Sequence, residues 1–353
     1  MFDEDIKQLK EFDEHRLISV LDDPKSGLQG FVTIHRGGSY APAFGATRVW
    51  EYPSKVEALK DALKLSKMMS YKSALAGLPY GGGKAVLMAS SQSLEKRERM
   101  LRSYADHVKN LEGKFITGTD MGLYQSDLSF MSEACPYFVG LNVDPTVFTG
   151  QGLFGALEVC LKKIFGTANV AGKSFAIVGA GKIGRELLRR IYNAEGHSEA
   201  KIYISDIDSE KALRVKKLFP QVELVSPNNV HTLAVDVYSP CGASNALTVR
   251  NIHELRCQMI VGGANNQLES QEVGEHLHRM GILYAPDYVV NAGGLMSVTS
   301  EFENPKNPEE TIQERLTQIS ETLSCILNES SRLNRATNII ADEMAETILK
   351  TYV

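Results

Sequence analysis

Alternation of apolar and polar positions separates the chain into two regions. In the first, strand-like runs occur at Gly30-Phe-Val-Thr-Ile-His35 and Arg48-Val-Trp50. A helix follows from about Ser54, with Val56, Leu59, Leu63 and Met68 at helical spacing. Ser54-Lys-Val-Glu57 has the form of a capping box. A glycine run at 81–83 leads into a short strand, Ala85–Met88; a helix covers about 94–110, and Phe115–Thr117 reads as a strand. The second region opens with a helix over about 152–165, ending near Gly166. Strand Ser174–Val178 then runs into Gly179-Ala-Gly181-Lys-Ile-Gly184 and a helix carrying Leu187, Leu188 and Ile191. Further strands are Lys201–Ile204, Val235–Tyr238 and Met259–Val261. Strands alternating with helices predict an α/β fold with a largely parallel sheet covered on both faces. Residues of about 309–350 form a polar, apolar-periodic helical tail without glycine, expected to pack back on the first region.

The length of 353 residues exceeds what one hydrophobic core serves, so two domains are expected. Their bounds are 1–143 plus about 323–353 for the first and 144–322 for the second. With 38 Lys+Arg against 43 Asp+Glu, the formal charge of −5 argues against nucleic acid as a partner. Cys135, Cys160, Cys241, Cys257 and Cys325 are scattered, without a C-x-x-C pair, which signals neither a disulfide framework nor zinc. His276 and His278, at i and i+2 on a helix, point apart, so no metal is expected. The acidic Met1–Ile6 stretch is unlike a signal peptide, and no apolar run approaches the roughly 18–20 residues of a membrane helix. A cytoplasmic protein with no membrane partner is the expectation.

The turn at 179–184 has the context a dinucleotide site requires: an apolar strand before it, a helix after it, and Asp206 beyond a second strand, 22 residues after Gly184. Gly179 allows the tight turn, Gly181 lets a pyrophosphate approach the backbone, and Gly184 lets helix and strand pack closely. Ala180, Lys182 and Ile183 complete the turn, and the helix N-terminus faces the phosphates. Asp206, followed by Ile207, would accept hydrogen bonds from the adenosine ribose and repel a 2′-phosphate, favouring NAD over NADP.

Lys72 and Lys84 lie 12 residues apart, across Gly77 and Gly81-Gly82-Gly83. A nucleotide P-loop fails, because position 78 is Leu and position 85 is Ala. The triple glycine instead suggests backbone brought close to a small ligand, with the Lys84 ammonium projected into a confined space.

The chain resembles the glutamate/leucine/phenylalanine/valine dehydrogenases over roughly residues 25–300. The resemblance rests on Met69-Ser-Tyr-Lys72, Gly81-Gly-Gly-Lys84-Ala-Val, Thr117-Gly-Thr-Asp120-Met-Gly122, the glycine turn, Ala264-Asn-Asn-Gln-Leu268 and Tyr284-Ala-Pro-Asp-Tyr288-x-x-Asn-Ala-Gly-Gly294. It points to the short leucine/phenylalanine branch. It implies a substrate-binding and oligomerisation domain, a Rossmann-type NAD domain and a cleft between them, in a homo-oligomer. The implied reaction is oxidative deamination of an L-amino acid to a 2-oxo acid and ammonium, with hydride passing to NAD. By the same resemblance Lys72 holds the α-carboxylate, Lys84 activates water, Asp120 exchanges protons with the amino group, and Asn266, with Asn265, orients substrate and nicotinamide. Thr149 would lie near the nicotinamide, and Cys241 and Gly242 near the cofactor; Cys241 reads as a small core residue rather than a nucleophile. A general-base lysine needs its pKa drawn down from about 10.4, which burial beside a second cation achieves.

For the substrate side chain, Phe44 stands where the glutamate branch carries a lysine before its glycine pair, here Gly45-Ala46, so by the resemblance Phe44 and Gly45 are expected against the substrate. A buried carboxylate without a cation would cost several kcal/mol, so an apolar side chain is expected, with Leu295 and Val298 on the far wall. Thr117-Gly118-Thr119 matches the phenylalanine version, and the missing methyl at Gly118 would leave room for a ring. The reading leans to phenylalanine over leucine or valine. Departures from the family pattern are an extra residue within 35–42, Ala46 for the second glycine of the pair, and Leu123. A non-catalytic NAD-binding regulatory protein of the same fold is the alternative.

Overall fold

Strand pairing sorts the described residues into two sheets; the computed structural model describes residues 6–37, 41–89 and 93–352. The expectations for residues 1–5, and the part of the extra-residue loop at 38–40, lie outside the described residues.

The first sheet comprises β1 (Leu17–Asp23), β2 (Leu28–Ile34), β3 (Ala43–Trp50), β4 (Gly81–Met88) and β5 (Phe115–Thr119). Helix α1 (Lys55–Leu75) separates β3 from β4, α2 (Leu94–Asn110) separates β4 from β5, and α3 (Gln125–Ser132) follows. The order is β1-β2-β4-β3-β5. This sheet is mixed rather than largely parallel: β2 is antiparallel to β1 and β4, whereas β3 is parallel to β4 and β5. The cause is β1, whose polar Ser19, Asp22 and Asp23 hid it as a strand and which returns into β2 through a turn at Gly27, φ 78°. Helix α1 starts as expected, with Ser54 Oγ accepting from the Glu57 amide at 3.2 Å. Its Ala58, Leu59, Ala62 and Leu63 cover one sheet face at Phe31 and Val86. Met100, Leu101 and Tyr104 of α2, with Leu128 and Met131 of α3, cover the other face at Val32, Ala85 and Leu87.

In the second sheet α4 (Pro145–Phe165) leads to β6 (Ser174–Val178), α5 (Lys182–Asn193), β7 (Lys201–Ser205), α6 (Ser209–Leu218), β8 (Glu223–Leu224), β9 (Ala234–Pro240) and β10 (Arg256–Ile260). Then come α7 (Gln271–Arg279), β11 (Leu283–Tyr284), α8 (Asp287–Val290), α9 (Gly293–Glu303), α10 (Glu309–Leu333) and α11 (Thr337–Leu349). The order β11-β10-β9-β6-β7-β8, all parallel, is that of a doubly wound dinucleotide-binding sheet. Helix α4 begins before the expected residue 152: Asp144 caps it by accepting from the Thr146 amide at 2.9 Å, and Pro145 suits its first turn. Gly166 ends it in the left-handed region, φ 76°.

Close contacts divide the chain into two units. One comprises the described parts of Met1–Val143, Val298–Pro308 and Ala345–Val353, the other Asp144–Ser297 and Glu309–Met344. The tail differs from expectation twice. It is two helices, broken where Asn334 turns to φ 53°, and its residues 323–344 belong to the second unit rather than the first. The reason is a seat on α4, since a Cβ at Gly152 would lie 2.4 Å from Ile319 Cδ1, so α10 rests on a helix of the second unit.

Candidate active site

In the first unit the functional side chains share one sheet face because of strand register. Phe44 pairs with Gly82 and Ile116, and Ala46 pairs with Gly118. Side chains alternate along a strand, so Phe44, Ala46 and Arg48 of β3 lie beside Gly82, Lys84 and Val86 of β4 and beside Gly118 of β5. Ala46 and Gly118 form a low floor, with an aromatic end at Phe44 and a charged end at Lys84, Arg48 and Asp120.

The charged end is a chain of ion pairs. Lys84 is 5% exposed, and its Nζ donates to Asp120 Oδ2 at 2.5 Å. Arg48 Nε donates to the same oxygen at 3.1 Å, while its other arm reaches Asp61 Oδ2 at 2.8 Å. The Tyr52 hydroxyl donates to Asp61 at 2.5 Å. Burial raises the Asp120 pKa, but Lys84 and Arg48 outweigh it and hold the carboxyl at about 2. Burial also opposes the charge on Arg48, and the two aspartates more than restore it. Asp120 is thus a fixed anion at neutral pH.

The three glycines before Lys84 serve packing, not ligand approach as expected. A Cβ on Gly81 would lie 1.7 Å from the Arg36 carbonyl oxygen, one on Gly82 2.0 Å from the Ser70 nitrogen of α1, and one on Gly83 2.7 Å from the Phe115 ring. The Gly82 amide donates to Ser70 Oγ at 3.0 Å, tying the end of α1, which carries half-buried Lys72, to the start of the Lys84 strand. Gly45 also departs from expectation. Its missing Cβ points to the opposite sheet face, 2.0 Å from the Gly83 carbonyl oxygen, so it packs strands together and does not line the floor. A methyl on Gly118 would lie 3.0 Å from the Val139 carbonyl oxygen, so its absence makes way for backbone rather than leaving room for a ring as expected.

At the aromatic end Phe44 is buried, with its ring centroid 4.6 Å from Tyr80 and 5.4 Å from Phe302. Tyr80 donates to Glu303 at 2.5 Å. Leu295, Val298 and Phe302 recur at i, i+3 and i+7 along α9, which puts them on one helical face, and Val298 Cγ1 would lie 3.7 Å from a Cβ on Gly140.

In the second unit the turn after β6 is built from missing side chains. Gly179, φ 113°, faces Cys241 and Gly242: its Cβ would lie 2.7 Å from the Gly242 nitrogen. This is where the strand order reverses between β6 and β9, the place where such sheets take ligands. A Cβ on Gly184 would lie 1.9 Å from the Gly179 carbonyl oxygen, whereas one on Gly181, the N-cap of α5, would meet nothing within 4 Å. That open step before a helix N-terminus fits a dinucleotide pyrophosphate. Asp206 braces the turn, with Oδ2 accepting from the Ala180 amide at 2.7 Å and Oδ1 from the Asp208 amide at 2.8 Å. Ile183 packs on Gly263, and Ile207 is 95% exposed beside Asp206. Cys241 is buried, its thiol pushed up to about 12 by that burial, which suits packing rather than attack.

The Asn265-Asn266 corner is held from beneath. Buried Asp287 accepts from the Asn266 amide at 2.5 Å and from the Tyr284 hydroxyl at 2.9 Å, and Asn266 takes φ 51°. Asn291 Nδ2 donates to Asn265 Oδ1 at 2.8 Å, and buried Gln267 donates to the carbonyls of Gly262 and Ala264. Thr149 donates to the Pro145 carbonyl at 2.8 Å, and a Cβ on Gly294 would lie 2.7 Å from its hydroxyl. Arg48, Asp61, Asp287 and Gln267 were not singled out by sequence reasoning. Arg48 and Asp61 carried a signal: a charge inside an apolar strand and an acid beside the apolar stripe of α1.

Residues 140–345 match the family model Glutamate/Leucine/Phenylalanine/Valine dehydrogenase, and residues 16–137 match the Glu/Leu/Phe/Val dehydrogenase dimerisation domain. The chain belongs to this dehydrogenase family. It is 34% identical to leucine dehydrogenase of Bacillus cereus over 344 residues, spanning 96% of this chain and 91% of that protein. To phenylalanine dehydrogenase of Lysinibacillus sphaericus it is 33% identical over 327 residues, 90% of this chain and 84% of that one. A crystal structure of L-tryptophan dehydrogenase from Nostoc punctiforme superposes with a TM-score of 0.81 at 33% identity, covering 96% of both chains. As a member of this family the protein is an amino-acid dehydrogenase, an oxidoreductase dependent on NAD or NADP, of the short branch. Among the described residues no helix is long and apolar enough to cross a membrane.

Proposed function

We propose that this dehydrogenase deaminates an apolar L-amino acid with NAD and prefers an aromatic side chain, phenylalanine before leucine or valine. The observation that carries the proposal is the sheet face on which Lys84 and Asp120 stand at one end of a small-residue floor and the Phe44–Tyr80–Phe302 cluster at the other. The reaction converts amino acid, NAD and water to 2-oxo acid, ammonium, reduced NAD and a proton. Bound at the glycine turn, NAD would supply the hydride acceptor. Lys72 pairs with the α-carboxylate. Asp120, ionised at neutral pH, takes a proton from the substrate ammonium, freeing the nitrogen lone pair before hydride leaves the α-carbon. Lys84 acts in its neutral form, its ammonium proton having left to solvent. It takes a proton from the water that attacks the resulting iminium and passes it to the nitrogen that departs as ammonium. Asp120 then returns its proton to Lys84 through their hydrogen bond.

On the cofactor side, Gly179, Gly181 and Gly184 shape the pyrophosphate seat, Asp206 faces the ribose, and exposed Ile207 offers an apolar cover for adenine. Asn265, Asn266 and Thr149 orient the nicotinamide and substrate. A glutamate side chain would find Phe44 in place of a cation and lose several kcal/mol. The dimerisation-domain match of residues 16–137 supports a homo-oligomer built through the first unit. The test is consumption of NADH with ammonium and a panel of 2-oxo acids. Phenylpyruvate should give the highest kcat/KM, 2-oxoisocaproate a lower one and 2-oxoglutarate none. Silence across the panel with NADH still bound would support a binding protein instead, and a clear lead for 2-oxoisocaproate would move the assignment to leucine.

A further inference from the structure

The proposed reaction makes two opposed demands on one hydrogen bond. Lys84 must give up its ammonium proton to act as a base, while Asp120, its partner at 2.5 Å, must stay ionised to take a proton from the substrate. An isolated carboxylate–ammonium pair keeps the proton on the lysine, because each charge stabilises the other. A second cation on the same carboxylate changes that balance, since it stabilises the anion and repels the ammonium. Arg48 occupies this place: its Nε donates at 3.1 Å to the Asp120 oxygen that Lys84 also uses. A guanidinium keeps its charge throughout the working pH range, so it remains when the lysine proton leaves.

The aim of Arg48 is fixed from behind. Its Nη1 donates to Asp61 Oδ2 at 2.8 Å, and the Tyr52 hydroxyl donates to the same oxygen at 2.5 Å. Burial, and after it Asp61, push the Tyr52 phenol well up, so it stays a donor. Asp120 is thus acted on by Lys84 of β4 and Arg48 of β3, and Arg48 by Asp120, Asp61 of α1 and Tyr52. Lys72 lies on α1 about three turns after Asp61, where the substrate α-carboxylate offsets its charge. From α2, Arg97 is turned to Asp127 and to the Gly122 carbonyl.

We propose that Arg48 is the positioning residue of the acid–base pair: it holds the Asp120 carboxylate in place as an anion while Lys84 is neutral, and so sets the pH at which turnover begins. The proposal rests on Lys84 and Asp120 being that pair, as read above.

The pH profile of kcat/KM for oxidative deamination by the full chain tests it. Arg48→Met removes the guanidinium, leaving Lys84 as the sole cation on Asp120. The acidic limb should move to higher pH by about one unit, an about tenfold loss below the limb with a much smaller loss on the alkaline plateau. Arg48→Lys keeps a cation and should recover more than half of that shift. Asp61→Asn removes the anion behind Arg48 and should move the limb the other way, by about half a unit. An equal loss at every pH, with the limb unmoved, would make Arg48 a structural brace and overturn the proposal. Shifts of Arg48→Met and Asp61→Asn in the same direction would overturn it too. Should Arg48→Met fail to fold by circular dichroism, Asp61→Asn decides: a shift towards acid supports the proposal, and none overturns it. An active parent enzyme whose limb stays put in the variants leaves the acid–base pair standing. Silence of the parent with every amino acid removes that pair and the proposal with it.

Discussion

The sheet face of the first unit and the glycine turn of the second solve opposite problems. On the sheet face the chain buries charge: Lys84, Asp120, Arg48 and Asp61 form a continuous ionic row capped by Tyr52. Burying ions costs several kcal/mol each, and apolar residues of the same volume would be as stable or more so, so such a row is a sign of chemistry. The glycine turn instead buries almost no charge. It is shaped by absent Cβ atoms and by backbone N–H groups, with Asp206 as brace. The first site is therefore vulnerable to loss of charge balance, the second to added volume.

The largest effect should come from Asp120→Ala, which leaves the Lys84 ammonium buried without its carboxylate. A loss of about 3–5 kcal/mol in denaturant unfolding is expected, together with loss of turnover. A change under about 1 kcal/mol would show that the row is not the costly element it is taken for. Acid should open the same unit. Burial holds the His15 pKa down at about 4 and, with Arg36 nearby, that of His35 at about 3, against an ordinary 6.5. The unfolded imidazoles take up protons first as pH falls below 6.5, so stability is full above that value and declines towards 4 and then 3. Between pH 7 and 5.5 the two should cost about 2–3 kcal/mol, read as a falling Tm with exchange protection lost around α1. A flat Tm over that interval would contradict neutral, buried histidines.

Volume is tested at two glycines of one turn. Gly184→Ala should cost about 1–3 kcal/mol and weaken NADH binding, because the new methyl meets backbone. Gly181→Ala, facing open space, should keep wild-type stability and lose NADH affinity alone. If both variants behave alike, the two glycines do not have separate parts. The smallest effect is Asp287→Asn. The amide keeps an acceptor for Asn266 but weakens the bond by about 1–1.5 kcal/mol, expected as a lower kcat with NADH affinity unchanged. A fall in NADH affinity matching that in kcat would argue for general damage.

The same contrast decides what the sequence could reveal. The glycine turn is one continuous strand–turn–helix, so its geometry follows from local spacing: Gly179 turns at φ 113°, Gly184 packs on the Gly179 carbonyl, and Gly181 faces open space. The sheet face is assembled from β3, β4 and β5, and its neighbours follow from a register that no local pattern contains. Lys84 and Asp120 stood out as residues; their direct pairing, and the Arg48 that shares the carboxylate, did not. The triple glycine looks locally like a ligand approach for the same reason, because Arg36, Ser70 and Phe115, which require it, lie far along the chain. Gly45 sits in sequence between Phe44 and Ala46 of the floor, whereas strand alternation turns it to the other face. In the tail, helical periodicity was legible but its partner was not, since α10 chooses Gly152 by shape.

In the proposed reaction Lys84 performs chemistry and is not merely the partner of Asp120. Lys84→Met keeps the stem of the side chain and removes the ammonium, and reductive amination can be measured beside NADH affinity in the same preparation. Lys84→Met should lose turnover by at least about a thousandfold, near 4 kcal/mol, with NADH affinity unchanged. Turnover within about tenfold of the parent enzyme would contradict it.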